Sequence, residues 1–245
     1  VMNLVWNRDI HFSLRRFRLS GRTIKRIYTV GIPSIAMSAI GSVMTFLMNN
    51  ILIAFSSTAV AVFGVYFKLQ SFVFMPVFGM NNGMVPIISY NYGARKPERI
   101  TKTIKLAVCF SETIMVLGFL VAQFFPAALL SLFNASPEML AMGERALRTI
   151  ALHFPLAGFS VICMATFQAL GKGVLALCVS VVRQLGVLIP VAWLLSLSGN
   201  VNLVWFAFPI AELVSLALCA TFLRKCYREI LKPMMAAQPA AAMAE

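Results

Sequence analysis

Residues 27–67 read IYTVGIPSIAMSAIGSVMTFLMNNILIAFSSTAVAVFGVYF, 41 positions without one charged side chain. A helix rises ~1.5 Å per residue and needs ~20 apolar residues to cross ~30 Å of hydrocarbon, so this stretch holds more than one crossing. The pair Ser56-Ser57 supplies the turn between them. The rest of the chain has the same character. Of 245 residues, 60% are hydrophobic and 12% charged, with a mean hydropathy of +0.85, outside the range of a water-soluble domain. Strands of a transmembrane barrel would alternate apolar and polar residues, and no such alternation is present. The expected class is an all-α integral membrane protein.

Caps, prolines and charge boundaries predict six crossing helices at 27–55, 58–90, 97–125, 137–170, 174–197 and 201–227. Ser136-Pro137-Glu138 is a helix start, with an N-cap, a proline at the first helical position and an acid in the first turn. Residues 1–26 read as a basic cytoplasmic linker after the possible end of a preceding helix, 27–228 as the six-helix transmembrane lobe, and 229–245 as a disordered cytoplasmic tail. Because the sequence opens on Val1, it reads as a piece of a longer polypeptide.

Lys and Arg outnumber Asp and Glu by 21 to 8. The basic residues fall between apolar runs instead of along one amphipathic face, so nucleic acid is not an expected partner. They report topology. Arg22 and Lys25, the 95–105 cluster, Lys172 and the Arg224–Lys232 group all fall on one side if six helices alternate, while turns 56–57, 126–136 and 198–200 contain no Lys or Arg. The positive-inside rule then puts both termini in the cytoplasm. Arg145 and Arg148 are the exceptions and read as an exposed collar. The five cysteines are scattered without a CxxC pair, and neither histidine lies near them in sequence, so no metal site is expected.

Ionised groups at membrane depth normally face a cavity or a partner, because hydrocarbon penalises them by a few kcal/mol. Lys68, Glu112, Arg183 and Glu212 are four such groups. They suit either structural ion pairs between helices or a wet cavity. Lys68 shares a helical stripe with Phe72, Met75, Gly79 and Asn82, a mixed face that suits a cavity wall. With Asn49, Asn50, Gln70, Arg183 and Gln184, these residues (Lys68, Phe72, Met75 and Asn82) form the expected substrate cavity. Glu112 and Glu212 are the candidate cation or proton sites. Pro76 with Gly79 and Gly83 is the expected hinge, three weak points within eight residues. No nucleophile–base pair, HExxH or phosphate-binding glycine loop is present, so the sequence carries no enzyme signal and calls for no cofactor.

The run MPVFGMNNGMVPIISYNYGARKPERI at 75–100 resembles the second helix and following loop of the carboxy-terminal lobe in the multidrug and toxic compound extrusion (MATE) family. NYGAR at 91–95 is its specific part; GIPS at 31–34 and FQALGKG at 167–173 fit the same lobe in the same order. The likeness implies helices seven to twelve of a two-lobe antiporter of the bacterial inner membrane, working with an amino-terminal six-helix lobe. It implies export of cationic or amphipathic drugs in exchange for Na⁺ or H⁺, with lipid as surroundings. Some members carry a cation-binding acid on the first and fourth helices of this lobe; here those helices offer Asn49, Asn50, His153 and Gln168 instead. Two other readings remain open. A lipid-linked saccharide flippase of related fold would line its cavity with several Lys or Arg, and a non-transporting scaffold would pair every intramembrane charge.

Overall fold

The computed structural model describes residues 20–236. Most of the predicted linker, with the possible helix end at 1–5, and the tail from 237 onward lie outside the described residues. Helix α1 spans Gly21–Ile53 and α2 Ser57–Gly93. Then come α3 Pro97–Phe124, a short α4 Pro126–Ser131, α5 Pro137–Ala151 and α6 Phe154–Ala169. Next, α7 Gly173–Val181 runs through a π-helical segment Val182–Leu188 into α8 Ile189–Ser196. A turn of helix α9, Val201–Val204, leads to α10 Ala207–Cys226, which continues through a π turn Tyr227–Leu231 to residue 236. The first helix therefore begins six residues before the expected boundary at 27, and the last extends past 228 into the expected tail. The first extension is a polar turn, capped where Ser20 accepts from the Thr23 amide, which sequence hydropathy does not weigh; the second continues the helix through a stretch that buries Leu231.

Among the described residues, five helical stretches are long and apolar enough to cross a membrane. A sixth crossing forms if α5 and α6 count together, and they are bent by 49°. The uniform helix expected over 137–170 is thus a broken one. Its cause is local. Pro155 has no amide hydrogen to continue the ladder, and the Leu152 and His153 amides turn back to Thr149 and Ile150 carbonyls in the tighter three-residue pattern. The 126–136 turn also holds α4, which begins on Pro126 and packs Leu130 where a Cβ on Gly143 of α5 would lie 2.8 Å from its Cδ1.

Helix α6 is the hub of the bundle, touching α2, α3, α7 and α10. Ala157, Ile162, Cys163 and Phe167 on it are fully buried. Close approach depends on small residues, as in membrane helix packing generally. A Cβ on Gly118 of α3 would overlap the Val73 side chain of α2, and one on Gly158 of α6 would lie 2.9 Å from the Glu112 carboxylate. By contrast α1 is largely bare, with Ile27, Ile32, Ile35, Val43, Phe46 and Ile53 exposed. On its other face α1, through Ser38, Gly41 and Thr45, stands across an open cleft from the polar residues discussed next.

Candidate functional site

Where α1 stands off from the hub, a cleft opens between it and α2, the π segment and α10. Around Arg183, Glu212 and His153 it encloses about 380 Å³. A wider part of about 660 Å³ runs past Gln70, Asn82 and Gln168 on α2 and α6. The two parts share Ser38, Phe67, Gln70, Arg183 and Gln184, so they are one continuous wall.

The π segment sets this wall's chemistry. A π turn carries one more residue than an α turn, which shifts the register of side chains that follow it. Arg183 and Gln184 lie in this turn, and both side chains line the cleft. Gln184 donates to Ser180 Oγ at 2.8 Å one turn back and turns its Oε1 toward Gly41 of α1, where a Cβ would lie 3.8 Å away. Arg183 Nη1 donates to Glu212 Oε2 on α10 at 3.1 Å. Arg183 Nε and Glu212 Oε1, both buried, have no protein partner, and neither has the buried hydroxyl of Tyr66.

His153 stands beside this pair at the break between α5 and α6. Its ring packs edge-on against Phe154, with centroids 4.9 Å apart, and lies within 6.4 Å of Tyr66 and 6.2 Å of Phe74 and Phe208. Nδ1 is 2.6 Å from the Ile150 carbonyl, so the tautomer that donates there leaves Nε2 as an acceptor. In the sequence His153 appears as a departure from the family's acid and not as a cavity residue. The signal that would have found it is the triplet His153-Phe154-Pro155, a titratable group at a proline break inside an apolar run.

Of the residues expected to line the cavity, Gln70, Asn82, Arg183 and Gln184 do so. Five are elsewhere. Lys68 points away from the cleft, its ammonium 5.7 Å from the centre of the Phe133 ring. Phe72 and Met75 are 74% and 72% exposed, and Phe72 borders a second, nearly all-carbon pocket with Val73, Gly118 and Phe133, which Gln70 of the cleft also touches. Asn49 and Asn50 line neither part of the cleft. The physical reason is rotation: at 3.6 residues per turn Lys68 and Phe72 lie roughly 100–140° around α2 from Phe67, toward Phe133 and out of the cleft. The flippase reading's cationic pair therefore reduces to Arg183 alone among the described cleft residues.

The two acids also part company. Glu212 sits at the cleft, engaged by Arg183, whereas Glu112 lies between α3 and α6 against Gly158 and outside the cleft. So the ion-pair expectation is met by one pair, and Lys68 and Glu112 are not its second. Among the described residues no three His, Cys, Asp or Glu side chains come together. The expected hinge residues Pro76, Gly79 and Gly83 lie within the unbroken α2, and the sharp break in a crossing falls at 152–153 instead.

A bundle of long apolar helices with a polar-lined cleft defines an all-α integral membrane protein. The family model MatE matches residues 33–194, and the chain belongs to the MATE family. It is 27% identical over 209 residues to the multidrug export protein MepA of Staphylococcus haemolyticus, covering 85% of this chain and 46% of that protein. The MepA of Staphylococcus saprophyticus is 25% identical over 197 residues, covering 80% and 43%. The chain spans about half the length of the curated relatives it matches. In fold it is similar to a solved MATE structure in the bent conformation, with TM-score 0.86 and 23% identity over 96% of this chain and 53% of that one.

Proposed function

We propose that this chain is one half of a secondary antiporter that exports amphipathic small molecules by alternating access, and that its open flank is the substrate-facing wall. The observation that carries this is the position of the cleft. Buried polar groups are costly unless partnered, yet Arg183, Gln184, Glu212 and His153 gather where the bundle leaves α1 bare. Lipid on that flank would leave this wall facing hydrocarbon; a second lobe would enclose it as a central cavity at the interface of two repeats. The length relation to the relatives supports the same arrangement.

The partner is an amino-terminal six-helix lobe, the location the bacterial inner membrane, and both termini cytoplasmic, on the charge distribution between turns. Na⁺ or H⁺ is the coupling ion, with Glu212 as the acid of this lobe placed to respond to it. The test is transport by the chain co-expressed with the amino-terminal half of a MATE relative in inside-out vesicles. Substrate uptake should follow an imposed Na⁺ or H⁺ gradient and fall several-fold in Arg183→Met and Gln70→Leu. Uptake unaffected by both substitutions would mean that the cleft is not the route, as the scaffold reading requires.

A further inference from the structure

Arg183 and Glu212 are the ionised pair of the cleft, and they are presented to it unequally: the Arg183 side chain keeps 23% exposure and that of Glu212 only 3%. The carboxylate stands behind the guanidinium. Together they form a dipole with its positive end toward the open space. Glu112, the other intramembrane acid, is half-buried against Gly158 of α6 and lines neither part of the cleft. A charged group entering the cleft therefore meets a cation first.

We infer that this wall receives the anionic head of an amphipathic molecule, a carboxylate or phosphate on an aromatic or aliphatic body, and not an ammonium group; the inference rests on the cleft being a substrate wall. The bond to Glu212 uses Nη1. A guanidinium is a planar fork of five N–H donors that matches carboxylate and phosphate oxygens, so donors remain for a second anion. The amides of Gln70 and Asn82 stand along the same wall, and Phe67, Phe74 and Phe78 offer ring faces to an apolar body. Attraction to the guanidinium is opposed by the buried carboxylate behind it. Neutralising Glu212 should therefore strengthen anion binding, the opposite of what a cation site would show.

The test uses the chain co-purified with the amino-terminal half of a MATE relative in phosphatidylcholine nanodiscs and two probes with one aromatic body, 2-naphthylacetate and 2-(2-naphthyl)ethylammonium, titrated by calorimetry. The acetate should bind saturably and about tenfold or more tighter than the ammonium, as one charge-assisted hydrogen bond provides. Glu212→Gln should tighten the acetate further. Arg183→Gln should abolish the preference, and since it leaves a buried carboxylate unpaired, the double variant Arg183→Gln/Glu212→Gln, with no buried charge, should lose the preference while keeping its melting temperature. Displacement of the acetate by phosphatidylglycerol in the disc would identify a lipid phosphate as the natural anion, and undiminished binding a soluble one. Tighter binding of the ammonium, lost in Glu212→Gln, would overturn the charge assignment and leave the cleft as a substrate wall. Saturable binding of neither probe would overturn both.

Discussion

At the scale of single residues, stability and site chemistry meet in the Arg183–Glu212 pair. Taking one partner from a buried pair strands the other, a loss of about 3–5 kcal/mol in fully buried cases. Arg183 retains contact with the cleft, so the loss here belongs at the lower end. Glu212→Ala should lower the melting temperature in detergent or nanodiscs by several degrees, and Arg183→Met/Glu212→Leu should recover most of it because the replacement is apolar on both sides. Failure of the double variant to recover would mean that the polar network, and not the charge pair, holds α10 to the π segment. A second test concerns packing. Gly118→Ala places a methyl group inside Val73, and overpacking of this kind costs about 1–3 kcal/mol. Val73→Ala, which removes the obstructing methyls, should restore the melting temperature of Gly118→Ala, whereas independent effects would simply add.

At the scale of elements, the sharp bend between α5 and α6 lies away from the hinge expected at Pro76, Gly79 and Gly83 in α2. A proline in a continuous membrane helix is tolerated when neighbours re-satisfy the freed carbonyl, and α2 runs through both Pro76 and Pro86. At 152–153 the chain bends by 49° and the polar ring of His153 is carried into the cleft by the bend. In the transporter assembled with an amino-terminal lobe, Pro155→Ala should therefore reduce turnover several-fold more than Pro76→Ala, with apparent affinity little changed in either. Turnover would be read from initial uptake rates in vesicles. A larger effect from Pro76→Ala would return the hinge to α2 and make the 152–153 bend a fixed feature. How much of this was legible is specific. The pairing of Arg183 with a carboxylate was one of the readings that the intramembrane charges allowed, and Pro155 was visible as an interruption. That the bend would deliver His153 to the cleft depended on the rotation of α6 about its axis, which no local pattern records.

At the scale of the whole molecule, one flank of the bundle is incomplete. The α1 face carrying Ile32, Ile35, Val43 and Phe46 suits lipid, while its other face, with Ser38, Gly41 and Thr45, borders a polar cleft that lipid does not satisfy. The chain reconstituted alone in vesicles as a monomer should show no gradient-coupled efflux of a fluorescent substrate, and adding the amino-terminal half should produce it. Robust efflux by the isolated monomer would show that one lobe encloses a route by itself.

Membrane residence and the family were legible in the sequence, since each depends on quantities summed along the chain, namely apolar length, charge between runs, and short motifs such as NYGAR at 91–95; whether 137–170 counts as one crossing rests on the bend between α5 and α6. Choosing between cavity and lipid for each polar residue was left to the tertiary structure. Lys68 and Gln70 are two positions apart on one helix, roughly 200° around its axis at 3.6 residues per turn, and of the two only Gln70 reaches the cleft. The direction of each is set by where α1, α6 and the π segment press against α2, contacts between residues distant in the chain. A helix whose surface is apolar nearly all round carries no stripe that would reveal its rotation beforehand.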